Sequence, residues 1–272
     1  MPAAFGADPE LVGRPWHPGS GIAHVHLRTA ALAADLKFSG AHARDSSPGR
    51  PEHATLEDGS LTLAGFVHTI VMMIPAIVLA AGKSTRMGRP KATLPLAAET
   101  FLSRIVRTFH DAGVDDVVIV VGHDAEGIVA SLSGARLGAR FVSNPDYESG
   151  QLSSLVKGLD AVDTPEIAGA LVTLVDVPLV TSATVRAVID RYHSTHAPIV
   201  RPTRGAEHGH PVLIDRSVFA ALRLGDPGVG AKTIVRAYAS RDGDVELNDA
   251  GAFLDIDTME QYQRVLDQLR DH

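Results

Sequence analysis

"AIVLAAGKSTRMGRPK", residues 76–91, joins a short apolar run to a loop that carries Lys83, Arg86, Arg89 and Lys91 within nine positions. The first five residues are apolar throughout and β-branched at the centre, the pattern of a strand buried on both faces. No Asp or Glu occurs between Ala76 and Ala98, so the loop's cations are not neutralised locally. Gly82 and Gly88 permit tight turns that expose N–H groups, and the Arg86 guanidinium can fork onto two phosphate oxygens. The simplest reading of such a cluster is a solvated basic patch. In a chain of formal net charge −7, a small polyphosphate ligand is the alternative that the rest of the sequence must test.

Two lookalikes can be set aside. "GKS" at Gly82 to Ser84 lacks the P-loop's first glycine, since Ile77 stands in its place. "GDPGVGAKT" from Gly225 has one residue too many before its lysine and follows no buried strand.

Downstream, short apolar runs alternate with amphipathic stretches. Phe101, Ile105 and Phe109 recur at helical spacing between Glu99 and Gly113, "DVVIVVG" reads as a strand, and helix and strand patterns follow over 125–132 and 139–143. A helix around Leu152 to Leu159 leads to the buried strand "GALVTLVD", which ends at Asp176. Beyond it come a helix from Ser182 to Tyr192, the strand "PIVRP", a glycine-rich loop to "HPVLI", a helix from Ser217 to Leu224 and a last helix after "LDIDT". There is no internal repeat. The pattern predicts an α/β fold: a doubly wound, mostly parallel sheet with helices on both faces, Rossmann-like in its ligand geometry. In such sheets ligands lie beyond the carboxyl ends of the strands, so the loops after "AIVLA" and "GALVTLVD" should meet.

Asp176 is followed by Pro178, which cannot extend a strand ladder. A carboxylate there suits Mg²⁺, a hard cation that takes one or two carboxylates plus phosphate oxygens. Helix capping is the plainer role, but Thr181 and Ser182 are better placed to cap the next helix. Asp255 and Asp257, read as the end of a further short strand, could add a second carboxylate; Asp257 could instead cap the helix near Thr258.

Residues 1–71 have a different texture, rich in Gly, Pro, Ser, His and Ala without sustained periodicity, and read as a flexible N-terminal extension ahead of a domain over 72–272. Met72 and Met73, just before the first strand, suggest that the functional chain starts there. The apolar run from Leu63 to Ala81 is long enough to be weighed as a membrane span. His68, Thr69, Pro75 and the cationic loop at its end argue against that, and no membrane association is expected. A pI near 6.0 and the lack of a long basic run exclude a broad nucleic-acid surface. The absence of cysteine excludes disulfides and thiolate chemistry, and no secretory signal is visible, so a cytoplasmic protein is expected. The pairs His24/His26 and His208/His210 lack a nearby third ligand and read as ordinary surface or structural histidines.

The loop resembles a known signature. Leu79 to Lys91 matches Leu-Ala-Ala-Gly-x-Ser-x-Arg-Met-Gly-x-x-Lys of the nucleotidyltransferases of molybdenum cofactor synthesis, most closely the cytidylyltransferases. "NPDYESGQLSS" from Asn144, "DVP" at Asp176, "GHPVLI" from Gly209 and "LDIDT" from Leu254 follow in the family's order. The resemblance implies that Leu79, Ala80, Ala81, Gly82, Ser84, Arg86 and Lys91 bind the nucleotide and that Asp176 binds Mg²⁺. It implies further that Tyr147, Gly150, Ser153, Ser154, His210 and Pro211 face the pterin. Ala81, where guanylyl-transferring relatives usually carry glycine, points to CTP. Met259 departs from the family's usual proline and should alter only a helix start. The implied reaction moves CMP from CTP to the terminal phosphate of molybdopterin, with Arg86, Lys91 and Asp176 as catalytic residues and a molybdoenzyme or its maturation chaperone as a further partner. A nucleotidyltransferase acting on GTP or on another small phosphorylated acceptor such as a sugar phosphate, and a non-catalytic cofactor carrier for molybdoenzyme maturation, are the rivals.

Overall fold

The computed structural model describes residues 56–57, 60–63, 66–69, 72–134 and 137–270. The extension expected over 1–71 therefore lies largely outside the described residues. Within it, β1 (Leu56–Glu57), β2 (Ser60–Leu63) and β3 (Phe66–Thr69) pair as an antiparallel meander, regular structure that the composition of this stretch did not announce. No helix among the described residues is long and apolar enough to cross a membrane.

The main body opens with β4 (Ala76–Ala80), a small hairpin of β5 (Pro95–Leu96) and β6 (Glu99–Thr100), and helix α1 (Phe101–Asp111). Then follow β7 (Val117–Val121), α2 (Ala125–Leu132), β8 (Arg140–Ser143), α3 (Gln151–Val162) and β9 (Gly169–Leu174). The second half runs α4 (Ser182–Thr195), β10 (Ile199–Arg204), β11 (Glu207–His208), β12 (Val212–Asp215), α5 (Phe219–Arg223), α6 (Ala231–Tyr238), β13 (Asp244–Glu246) and α7 (Met259–Arg270).

The central sheet has the order β11-β10-β12-β9-β4-β7-β8, with β13 on the other side of β10. β8, β7, β4 and β9 are mutually parallel. β12 is antiparallel to both β9 and β10, so β10 and β13 run with the parallel set and only β12 and β11 oppose it. The mostly parallel, two-faced sheet expected from the sequence is what forms. Alternation along β4 divides the interior: Ala76, Val78 and Ala80 join α1, α2 and α4 on one face, while Ile77 and Leu79 join α3 and α5 on the other.

β4 is the first strand of the sheet, with β7 on one side and β9 on the other. The chain thus reverses its order of winding at β4, and the loops leaving β4 and β9 come together as expected: Val175 N donates to Leu79 O at 3.1 Å. A third apolar cluster holds the β4 loop from outside. Met87, Leu94, Leu96 and Phe101 pack against Ile256, Tyr262 and Val265, and the Tyr262 hydroxyl donates to Pro95 O at 2.6 Å.

Two stretches differ from expectation. The Gly-rich segment before α6 was read only as a rejected P-loop, yet Ala231–Tyr238 is a helix whose Ala231, Ile234 and Val235 pack on the core. "LDIDT" does not end a strand; it is irregular backbone between a tight turn at Ala250–Phe253 and α7.

Candidate active site

The β4 loop turns at two left-handed positions, Ser84 (φ 49°) and Gly88 (φ 67°). The Ser84 hydroxyl accepts a bond from Lys91 N at 3.2 Å, closing the loop on itself. The cluster beneath Leu94 and Phe101 then fixes Lys91, which is only 8% exposed. Its ammonium donates to Asp176 Oδ2 at 3.0 Å and to Asp257 Oδ1 at 2.5 Å. Asp257 Oδ2 in turn lies 3.8 Å from Arg86 Nη1, which is mostly exposed. Asp176, Lys91 and Arg86 thus converge, with Asp257 as the bridge between the two cations.

Asp257 is free for this because it does not cap α7. Thr258 Oγ1 accepts from Gln261 N at 3.2 Å, and Gln261 Oε1 accepts from Thr258 N at 2.9 Å and from Asp257 N at 2.8 Å, a reciprocal capping box. The Lys91 hydrogen bond, reinforced by the charges of Lys91 and Arg86, holds the Asp257 carboxyl below its ordinary range. Ile256 N donates to Asp176 O at 2.8 Å, so the segment that carries Asp255 and Asp257 is stitched to the end of the β9 strand region.

Asp176 differs from Asp257 in one respect. Its second oxygen, Oδ1, is buried and has no hydrogen-bond partner, a costly arrangement unless something else occupies that lone-pair direction. Asp255 is exposed toward the larger cavity described below, and its carboxyl is pushed above its ordinary range by desolvation and by the neighbouring Asp176 charge. These oxygen donors fit a hard divalent cation. Among the described residues no three His, Asp or Glu side chains converge as a metal cluster, so such an ion must draw further ligands from phosphate or water.

Two adjoining pockets open here. The smaller, about 240 Å³, is lined by Leu79, Ala81, Gly82, Ser84, Lys91 and Asp176 on one side and by Tyr147, Gly150 and Ser154 on the other. Ala80 points into the core instead, and Arg86 stands outside the lining. Ser153 is also outside: its hydroxyl donates to Asp146 O at 3.0 Å and Gly150 O at 2.8 Å and accepts from Asn144 Nδ2 at 2.9 Å. Gly122, at the end of β7, is what lets Tyr147 approach, since a Cβ there would lie 2.6 Å from that of Tyr147 and 2.9 Å from that of Ala81. Lys83 pairs with Glu148 at 2.5 Å, its ammonium 6.0 Å from the centre of the Tyr147 ring.

The larger cavity, about 470 Å³, shares Leu79, Gln151 and Leu174 with the smaller and reaches His210 and Asp255. His210 N donates to Ala252 O at 2.8 Å, and desolvation lowers the imidazole's pKa. Pro211 does not line the cavity. The His24/His26 pair lies outside the described residues. Gln151, Arg201, Lys232 and Arg236 were not anticipated as lining residues; for the last two, the four-residue spacing on an amphipathic stretch was the available signal.

Comparison with known proteins bears on this geometry. The MobA-like NTP transferase domain family matches residues 76–243. The chain is 32% identical over 202 residues to nicotine blue oxidoreductase of Paenarthrobacter nicotinovorans, covering 71% of this chain and 96% of that one. It is similar to the crystal structure of Rv0371c from Mycobacterium tuberculosis, with 32% identity, a TM-score of 0.62 and coverage of 72% of this chain and 98% of that one; the same protein has been crystallised in complex with manganese. A nucleotidyl transferase from Methanothermobacter superposes with a TM-score of 0.60 at 25% identity, over 74% of this chain and 99% of the other.

Proposed function

We propose, from the premise that the chain belongs to the MobA-like NTP transferase family and is a nucleotidyltransferase, that it moves CMP from CTP to the terminal phosphate of a molybdopterin-type acceptor and releases pyrophosphate. The observation that carries the proposal is Lys91 held between Asp176 and Asp257 on the 240 Å³ pocket beside the cationic loop, which shares Leu79, Gln151 and Leu174 with the 470 Å³ cavity beyond it. Nucleotide and acceptor occupy these two in turn, so Tyr147, Gly150 and Ser154, expected toward the pterin, flank the nucleotide instead. The Ala81 methyl narrows the smaller pocket and favours a pyrimidine.

The acceptor phosphate is already anionic at neutral pH and needs no side-chain base. Its oxygen bonds to the α-phosphorus as the bond from that phosphorus to the pyrophosphate oxygen breaks, and the departing electron pair leaves with pyrophosphate. The protein acts by positioning and by charge. Lys91, fixed by its two carboxylates, faces the phosphoryl group; Arg86, on an exposed and adaptable side chain, holds the leaving pyrophosphate; Gly82 and Ser84 shape the loop around it. Asp176, with the neighbouring Asp255, would hold Mg²⁺, which as a Lewis acid draws charge from phosphate oxygens. A manganese complex of a relative supports a divalent ion of this kind. A cysteine-free chain of this chemistry belongs in the cytoplasm, where a molybdoenzyme or its chaperone would receive the product.

The relative named as an oxidoreductase supports a second reading, in which the paired pockets hold a redox dinucleotide with its ring in the larger cavity. One experiment separates the possibilities: pyrophosphate release from CTP, GTP, ATP and UTP with and without Mg²⁺ and molybdopterin or a sugar phosphate, beside a parallel assay of reduced nicotinamide dinucleotide oxidation. Release that requires CTP and molybdopterin is expected. Tight molybdopterin binding without release would favour a carrier, and release with a sugar phosphate alone would reassign the acceptor.

A further inference from the structure

We infer that the 470 Å³ cavity selects an acceptor whose ring body carries a negative charge of its own, separate from the reacting phosphate and held by Lys232 and Arg236. The inference rests on the nucleotidyl-transfer reading of the adjoining pocket.

The walls of the cavity are apolar, built by Leu155, Val172, Val212, Val235 and Phe253, and suit a flat ring. Its charges are divided. Asp255 lies at the end nearest Asp176, whereas Lys232 and Arg236 come from α6 and Arg201 from β10. Lys232 and Arg236 are four residues apart, so they project from the same side of the helix and repel each other mildly. Arg201 Nε is tied to Asp244 Oδ1 at 2.9 Å. No ion pair among the described residues takes up the charge of Lys232 or of Arg236. Desolvation and the charge of Arg201 lower the pKa of His208, on the same lining, with Asp244 opposing and Arg236 adding to the shift.

In a protein of net charge −7, two unpaired cations beside a third, on an apolar cavity, are an arrangement that an anion relieves. The reacting phosphate cannot be that anion. It must reach Lys91 and Asp176, which line the smaller pocket, and the wall common to both pockets is Leu79, Gln151 and Leu174, not α6. An acceptor that fills the cavity with its reacting end at the shared wall therefore presents another part of itself to Lys232 and Arg236.

The test uses the full-length protein and two fluorescent probes with one ring, pterin-6-carboxylate and 6-methylpterin, titrated at low ionic strength. The carboxylate should bind wild type about tenfold more tightly, as a charge-assisted contact to two cations allows, and that preference should shrink with added salt. In Lys232→Ala/Arg236→Ala the two probes should bind alike. The single variants Lys232→Gln and Arg236→Gln, checked by circular dichroism, carry the test if the double variant does not fold; each should lose part of the preference. Equal binding of the probes to wild type, or a preference that survives removal of both cations, would overturn the inference. Pyrophosphate release by wild type is scored separately: release without any probe preference refutes the cavity's selectivity alone, and a preference without release refutes the transfer reading alone.

Discussion

Lys91 is the point on which the site turns. A lysine 8% exposed with two carboxylates on its ammonium is stabilised only while all three charges are present, because removing the cation leaves two anions facing each other. Lys91→Met is expected to lower turnover by about 10² to 10³-fold, the cost of losing one preorganised donor. It should also destabilise the fold by about 1–3 kcal/mol, below the range for fully buried pairs because Asp257 is 44% exposed; pyrophosphate release and urea denaturation measure the two effects. The carboxylates themselves should separate in a metal titration. Both oxygens of Asp257 face cations, whereas Asp176 Oδ1 faces none. Manganese binding followed by electron paramagnetic resonance should therefore be lost in Asp176→Asn and nearly unchanged in Asp257→Asn, while Asp257→Asn weakens CTP binding by loosening Arg86 and Lys91. Strong loss of manganese in Asp257→Asn would instead make it a ligand. The charged residues Arg86, Lys91 and Asp176 were legible in the sequence because a cation-rich loop and a strand-ending carboxylate each stand at a position that topology brings together. The choice between Asp255 and Asp257 was not, since it depends on Thr258 and Gln261 taking over the cap. Ala80, Ser153 and Pro211 belong to the signature stretches yet turn away from the pockets, because strand alternation and side-chain bonding, not membership of a motif, decide where a side chain points.

Strands were the easiest part of the fold to read, because β4, β7 and β9 are covered on both faces and so are apolar throughout except for Thr173. Helices with a wide apolar stripe, such as α1, followed. α6 was missed because its first residues sit behind Gly228 and Gly230, where the chain reads as a loop, and only eight residues remain to display a period. The short strands β11 and β13 were missed for a similar reason: each is an edge of the sheet, too short and too polar for alternation to register. The bend ahead of β12 brings His210 into the cavity, and this has a consequence for acid stability. Desolvation lowers its pKa from 6.5, against the opposing pull of its bond to the Val172 carbonyl and of the Asp255 and Asp176 charges. The unfolded chain then binds the proton more readily than the folded one. The contribution of neutral His210 is present above about pH 6.5 and is lost as pH falls below it, by at most about 1.4 kcal/mol per pH unit. Between pH 7.5 and 5.5, set to span that pKa, the melting temperature of wild type should drop more than that of His210→Asn. Equal drops would show that His210 is protonated as easily folded as unfolded.

Among the described residues, all three apolar clusters are assembled from positions at or beyond Ile74, which bears on how much of the chain the activity needs. Among the described residues, the first backbone bonds into the body are made by Met73, whose N–H donates to Glu166 O at 2.9 Å and whose carbonyl accepts from Ala168 N at 3.0 Å. Pro75 adds a third, its carbonyl accepting from Leu171 N at 2.9 Å. These bonds lead directly into β4, whose far end carries the cationic loop, so loosening them lets the strand fray toward the site. A chain of residues 72–272 keeps every one of them and is expected to retain the CTP-dependent turnover and urea midpoint of the full chain. A chain beginning at Ala76 lacks three backbone bonds, each worth about 0.5–1.5 kcal/mol net, and should unfold at a clearly lower urea concentration with reduced turnover. Turnover lost already on removal of residues 1–71, with the urea midpoint unchanged, would assign that segment a part in catalysis; a lowered midpoint would assign it a part in the fold.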